Sequence, residues 1–417
     1  MNVYWCERAL LPTGVAAGVV IEGDDTIASI THTATPPPGA TVLAGLTLPG
    51  LVDHHSHAFH RALRGRAIGG DFWAWRDEMY ALAAALDPDS FLALTTASFG
   101  ELVLAGVTTV HEFHYLHHPA GMDDAVCEAA RRAGIRLALV DTCYLRAGFD
   151  GAELAPVQQR FCDGDVERWA ARAERLAAAN SDVEIAAGIH SVRAVDAESM
   201  TAIAEWARAR NTGLHLHLSE QPAENEACLA VTGRTPTQLA HERGVLGRST
   251  VAVHCTHVTD DDVTRLGSSG TTVCLCPTTE RDLADGIGPA TALSAAGCPL
   301  SLGTDSHAVV DLFEEARLVE LHERLVSGRR GQQQPAALLA AARGDATLAV
   351  GGPADLTVVS LDSPRLAGIN PDDPVPLVVA AATAADVTDV VVAGRHVVAD
   401  GAHRMLDVAA LMREALA

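Results

Sequence analysis

The chain of 417 residues contains no lysine; all 30 of its basic residues are arginines. Schiff-base catalysis needs a lysine amine, and a carbamate-bridged metal pair needs a lysine as well, so both are excluded. Positive charge is scarce in general: 53 acids stand against 30 arginines, for a formal net charge of −23. That balance argues against nucleic acid or anionic membranes as partners. It also repels an anionic substrate at long range, so such a substrate needs a local arginine cluster. Aromatic residues make up only 4%. Apolar runs of about 18 residues are missing, so no membrane-spanning helix is expected. The nine cysteines are scattered, without a CxxC. Cys274 and Cys276 form the one close pair and read as small core residues on one strand face. An odd cysteine count and the lack of a signal-peptide pattern point to a reducing cytoplasm.

What is present is a repeated alternation of strand and helix. Candidate strands begin near Gly106, Arg136, Glu184, Gly213, Thr250, Thr272 and Pro299. Alanine- and arginine-rich helices intervene, such as 166–179 and 197–210. The apolar stretch from Leu48 to His57 adds a strand at the front, which makes eight. Repeated βα units of this kind predict a (β/α)8 TIM-like parallel barrel, an α/β fold, over 49–348. Residues 1–48 and 349–417 share a different texture of short β segments and turns, including a hairpin around Ala393-Gly394. They predict a small β-sandwich domain built from both termini. The segment from Pro335 to Val350 looks short for closing helices. Glycine near Ile68 and the run 329–335 are composition signals of loop.

Histidines and acids recur at the C-terminal ends of the candidate strands: His55 and His57, His111 and Glu112, His190, His217, His254 and Asp305. That end of a parallel barrel is where active sites form. His55 and His57 are two apart, so on a strand they face the same way, as a divalent transition metal requires. His215 and His217 also share a face, and either could be a third ligand; the C-terminal position favours His217 and leaves His215 as a barrel histidine. Glu220 follows three residues later. It is either a carboxylate beside a metal-bound water or a helix-start acid. His254 could orient that water or fill the barrel. Asp305 could ligate or cap the next helix. His257 reads as a loop residue.

Asp53-x-His55-x-His57, histidines on the fifth and sixth strands and an aspartate on the eighth resemble the amidohydrolase superfamily. The His217-x-x-Glu220 spacing and the missing lysine are similar to its mononuclear deaminase branch. The resemblance implies His55, His57, His217 and Asp305 as ligands of one divalent ion, Zn2+ with Fe2+ as the alternative. It implies Glu220, His254 and Asp305 as proton-transfer residues. The segments His57–Gly65, Phe72–Tyr80, His111–His118, His190–Val195 and Cys276–Gly286 resemble, over essentially the whole chain, the formimidoylglutamate deiminases of histidine degradation. Members often carry glutamine where this chain has His60. This narrower resemblance implies a small-molecule substrate, N-formimidoyl-L-glutamate, and a homodimer. Its two carboxylates call for arginine forks, and the family implies His60, Arg76, Tyr115, His190 and Arg193 as substrate-binding residues. Arg76 could instead pair with Asp77 or Glu78, and Arg193 could be a solvated cation.

Two other functions are weighed beside this one. A sibling deaminase of purine, pterin or triazine rings would use the same metal set but line its mouth with amides and aromatics. A non-catalytic barrel could bind zinc or an amino acid. Structural zinc sites, however, fill four positions and need no acid poised beside them.

Overall fold

The computed structural model describes residues 1–66 and 68–417. The N-terminal strands are β1 (Asn2–Leu11), β2 (Gly14–Gly23), β3 (Ile27–His32) and β4 (Thr41–Pro49). Eight more follow: β5 (Leu51–Ser56), β6 (Val107–His114), β7 (Arg136–Cys143), β8 (Glu184–Ile189), β9 (Leu214–Leu218), β10 (Thr250–His254), β11 (Thr272–Leu275) and β12 (Leu300–Leu302). The last four are β13 (Leu356–Val359), β14 (Val387–Val392), β15 (Arg395–Ala399) and β16 (Ala402–His403).

Strands β5 to β12 pair in sequence order, each parallel to the next. A parallel sheet is covered on both faces, so its strands carry near-continuous apolar runs. Strand β7 (RLALVDTC) is buried along all but its first residue. The intervening helices bury one stripe. In Val166–Ala179 the inward residues are Trp169, Arg172, Ala173 and Leu176, and Asp165 caps the N-terminus by accepting from the Arg168 amide.

The barrel closes between β5 and β12. Ser56 and Asp305 form a parallel bridge. The Asp305 amide donates to the His55 carbonyl at 2.8 Å, and the His57 amide donates to the Asp305 carbonyl at 2.9 Å. Gly303 makes this approach possible, because a Cβ there would lie 2.6 Å from the His55 carbonyl oxygen.

The termini build one mixed sheet of eight strands in the order β16-β15-β14-β13-β4-β1-β2-β3. The stretch Leu48–His57, expected as a single strand, is divided between the two sheets. Leu48 and Pro49 end β4, and Leu51 opens the barrel. The crossing falls at Gly50, where the space of a Cβ is taken by the Thr108 side chain, 2.1 Å from the ideal Cβ position. The last barrel strand is followed by helices Leu312–Ser327 and Pro335–Arg343. The segment 349–417 adds two helices to its strands. Val375–Ala381 packs on that helix pair, and Val408–Ala415 packs on Pro88–Leu104. Among the described residues no helix is long and apolar enough to cross a membrane.

Candidate active site

Three imidazoles converge at the barrel mouth. His217 Nε2 lies 3.1 Å from His55 Nε2 and 3.2 Å from His57 Nε2. Asp305 Oδ1 is 3.5 Å from both His55 Nε2 and His57 Nε2. His57 Nδ1 donates to the Phe113 carbonyl at 2.9 Å, and His217 Nδ1 donates to the His190 carbonyl at 2.8 Å. In a neutral imidazole only one nitrogen carries hydrogen. Nε2 of His57 and of His217 are therefore both lone pairs, and no proton lies between them. Burial holds these two rings well below the ordinary histidine pKa, and neighbouring imidazoles add to the effect. Facing lone pairs this close repel unless a cation sits among them. Bonds of about 2.0–2.1 Å in a tetrahedron put donors about 3.3 Å apart. The donors seen here are spaced 3.1–3.5 Å. The residues fit a divalent ion, and the backbone carbonyls behind His57 and His217 fix the ring orientation.

Backbone strain collects at the same rim. Ser219, His254, Cys255, Asp305 and His307 all have φ between 47° and 70°, and none is glycine. Such conformations cost about 1–3 kcal/mol each and persist where the surroundings enforce them. Here they turn His254 and Asp305 from strand ends toward the centre.

His254 Nε2 faces Glu220 Oε1 at 3.8 Å and Asp305 Oδ2 at 3.7 Å. Its other nitrogen meets Glu280 Oε1 at 3.4 Å, and that oxygen also accepts from the Cys276 amide at 3.0 Å. Burial opposes a charge on His254, but Glu220, then Glu280 and Asp305, outweigh it and hold the pKa well above the ordinary value. Burial pushes the Glu220 carboxyl up to about 7; His254 pulls it down, and Asp305 pushes it up. A carboxyl poised near neutrality beside a cationic imidazole suits proton transfer.

The cavity over this centre has a volume of about 790 Å³, mouth included. His60, Arg76, Tyr115, His190 and Arg193 all line it, together with His57, His217, Glu220, His254 and Asp305; His55 lies fully buried behind them. Arg76 stacks over the Trp73 and Tyr80 rings at 4.6 and 5.2 Å, and its buried Nε has no partner. Its contact with Asp77 is long, 3.8 Å, and the aspartate is mostly exposed, so that pair is weak. Among the described residues no carboxylate lies within ion-pair distance of Arg193, whose Nη1 donates to the Ala147 carbonyl at 3.3 Å. The Tyr115 hydroxyl and His60 Nε2 are hydrogen-bonded at 2.7 Å.

Several expectations need correction. Strand β6 runs on to His114, so His111 and Glu112 are not at the mouth. His111 stacks on His54 inside the barrel at 5.1 Å. Glu112 accepts from Ser56 Oγ at 2.6 Å and from the Ala58 amide at 2.8 Å, which holds the backbone on both sides of His57. The mouth is also richer in aromatics than the composition suggested: Phe72, Trp73, Trp75, Tyr80 and Phe161 line it beside Tyr115. Glu280, Glu224 and Gln221 were not singled out from the sequence. Glu224 carried one available signal, its place in the first turn of a helix that Pro222 opens just after Glu220.

The amidohydrolase family model matches residues 46–397. A formimidoylglutamate deiminase from Pseudomonas aeruginosa is 36% identical, with 97% of this chain and 96% of the relative covered. An 8-oxoguanine deaminase from the same species is 34% identical over 88% of this chain and 85% of its own. In structure, an adenosine deaminase from Xanthomonas campestris with bound zinc superposes with a TM-score of 0.87, covering 99% of this chain and 96% of the other, at 23% identity. Barrel, terminal sheet and converging imidazoles thus agree with a family match spanning both units, and the chain belongs to the amidohydrolase family, a hydrolase acting on C–N bonds.

Proposed function

We propose that the protein hydrolyses N-formimidoyl-L-glutamate to N-formyl-L-glutamate and ammonia, a step of histidine degradation. The observation that carries this reading is the charge pattern of one cavity. Two arginines without strong carboxylate partners, Arg76 and Arg193, face a proton-transfer group of Glu220, His254 and Asp305. The substrate has the complementary pattern, two carboxylates at one end and one amidine carbon at the other. Similarity to the deiminase of P. aeruginosa over nearly the whole chain supports it.

His55, His57, His217 and Asp305 would hold one divalent ion, with zinc favoured by the imidazole-rich donor set. When bound, such an ion supplies Lewis acidity, which acidifies water and screens developing negative charge. Arg76 and Arg193 take the carboxylates, with Tyr115, His190 and His60 completing the polar wall. Glu220 accepts a proton from the water as the water oxygen bonds to the formimino carbon, and passes that proton to the terminal nitrogen once the carbon is tetrahedral and that nitrogen has regained its lone pair. His254, held by Glu280, orients the water. Asp305 takes the second water proton and returns it as the carbon–nitrogen bond breaks, so ammonia leaves and a formyl group remains.

The test is ammonia release from N-formimidoyl-L-glutamate by purified protein of measured metal content. Glu220→Gln should lower turnover by about 10²–10⁴-fold with metal retained; near-normal turnover would refute its role. The aromatic wall and the 34% identical 8-oxoguanine deaminase favour a second reading, a ring deaminase. Release from 8-oxoguanine or adenosine, and none from the formimidoyl compound, would establish that one instead.

A further inference from the structure

Glu224 is a carboxylate that the chemistry above does not use. It lies on helix Pro222–Thr232, which follows Glu220, and is one of two buried residues of that helix. Its amide donates to the Gln221 carbonyl at 3.1 Å, an ordinary first-turn bond. The side chain is another matter. It lines the same cavity as Arg193 and Glu220. Oε1 is buried and has no hydrogen-bond partner, and no ion pair joins Glu224 to an arginine among the described residues. A buried carboxylate oxygen without a donor costs free energy unless a ligand supplies one.

Its position says which ligand group that is. Glu224 stands in the first turn of a helix that begins just after Glu220, and both side chains reach the same cavity. Glu220 and Arg193 line one cavity, and the substrate reading puts Glu220 at its reacting end and Arg193 at its carboxylate end. Burial pushes the Glu224 carboxyl above the ordinary range, while Arg193 first and His254 second pull it down. It therefore feels both ends. In an N-formimidoyl amino acid one atom lies between the amidine carbon and the carbon that bears the α-carboxylate. That atom is the α-nitrogen, which carries an N–H and shares the positive charge of the protonated amidine.

We propose that Glu224 is a substrate-binding residue that accepts the α-N–H of the formamidinium group, selecting cationic N-formimidoyl amino acids over dicarboxylates that lack this donor. The inference rests on the reading of the substrate given above. It also accounts for an acid beside an arginine meant for a carboxylate. Without the N–H to engage, Glu224 only repels the ligand.

The experiment compares two ligands across three proteins. Wild type, Glu224→Gln and Glu224→Leu are assayed for kcat/KM with N-formimidoyl-L-glutamate, and for inhibition by glutarate, which keeps both carboxylates and has no nitrogen. A charge-assisted hydrogen bond predicts a loss of about tenfold to a hundredfold in kcat/KM for Glu224→Leu. Glu224→Gln, which keeps an acceptor of the same shape, should lose less. Glutarate should inhibit both variants as well as wild type or better, because an anion beside the arginines is gone. Unchanged kcat/KM in both variants would overturn the proposal. So would a parallel weakening of glutarate, since that marks a merely structural role. Wild-type protein that releases no ammonia from the formimidoyl compound would instead overturn the substrate reading beneath it.

Discussion

Two buried groups in this protein are built from the same residue types and wired in opposite ways. At the mouth, His57 and His217 spend their N–H groups on backbone carbonyls, and bare Nε2 atoms face one another and Asp305. On the outer side of the barrel, His114 Nε2 and His117 Nδ1 both donate to Asp123 Oδ1, at 3.0 and 2.9 Å. His117 Nε2 meets the Thr142 carbonyl at 2.8 Å. Arg172 stands 3.6 Å from the same Asp123 oxygen and pairs with Asp141 and with Asp163. The second group already holds a cation of its own among its carboxylates, and its imidazole protons point at acceptors. In the first, the bare Nε2 atoms of His57 and His217 face each other with no proton between them. Residue type and proximity nominate both groups for a metal; what separates them is where the hydrogens go.

The comparison breaks most visibly with one matched pair of substitutions. His217→Ala should abolish stoichiometric metal binding and lower turnover at least about a thousandfold, whereas His117→Ala should leave metal content and turnover in place and lower the melting temperature. Metal analysis beside an ammonia assay decides it, and loss of metal from the His117 variant would reverse the assignment of the two groups. Next in size, Arg172→Leu leaves Asp141, Asp163 and Asp123 without their cation. Denaturant titration should read a destabilisation of about 3–5 kcal/mol, with kcat unchanged in the protein that remains folded.

Smaller effects sharpen the mouth alone. Arg193→Met should raise KM by about tenfold to a hundredfold and spare kcat, as expected for a lost charged hydrogen bond; an unchanged KM would remove Arg193 from the carboxylate site. The smallest concerns pH. Glu220 must be ionised to accept a proton, and its carboxyl is pushed up to about 7 by burial. kcat/KM should therefore rise as pH climbs through about 7 and fall about tenfold per unit below it. An acid limb at an ordinary glutamate pKa, near about 4.3, would reject Glu220 as the titrating base.

Much of this arrangement was legible from residue order. Period, turn residues and helix spacing placed the eight barrel strands, and helices 166–179 and 197–210 fall where the pattern put them. Strand ends were harder. No turn residue follows Val110, so nothing local marks where β6 stops; the first polar pair after the apolar run reads as its end, which sets His111 and Glu112 at the wrong level. The division of Leu48–His57 between two sheets turns on Gly50 and on the Thr108 side chain, a contact 58 residues away that local pattern cannot contain. Glu280 reaches His254 only through tertiary folding. The aromatic wall was hidden by arithmetic of the wrong kind, because a chain-wide average conceals six rings gathered at one opening.

The seam between β5 and β12 has a consequence beyond chemistry. First and last staves of the barrel are stitched at His55, His57 and Asp305 by two backbone bonds, which together make the Ser56–Asp305 bridge, and side chains of those same three residues point at the proposed ion. An ion bound there acts as a hoop tightened across the join. Its affinity for the closed ring adds to the work of opening it, so stripping it out should loosen the whole cask and not just silence the mouth.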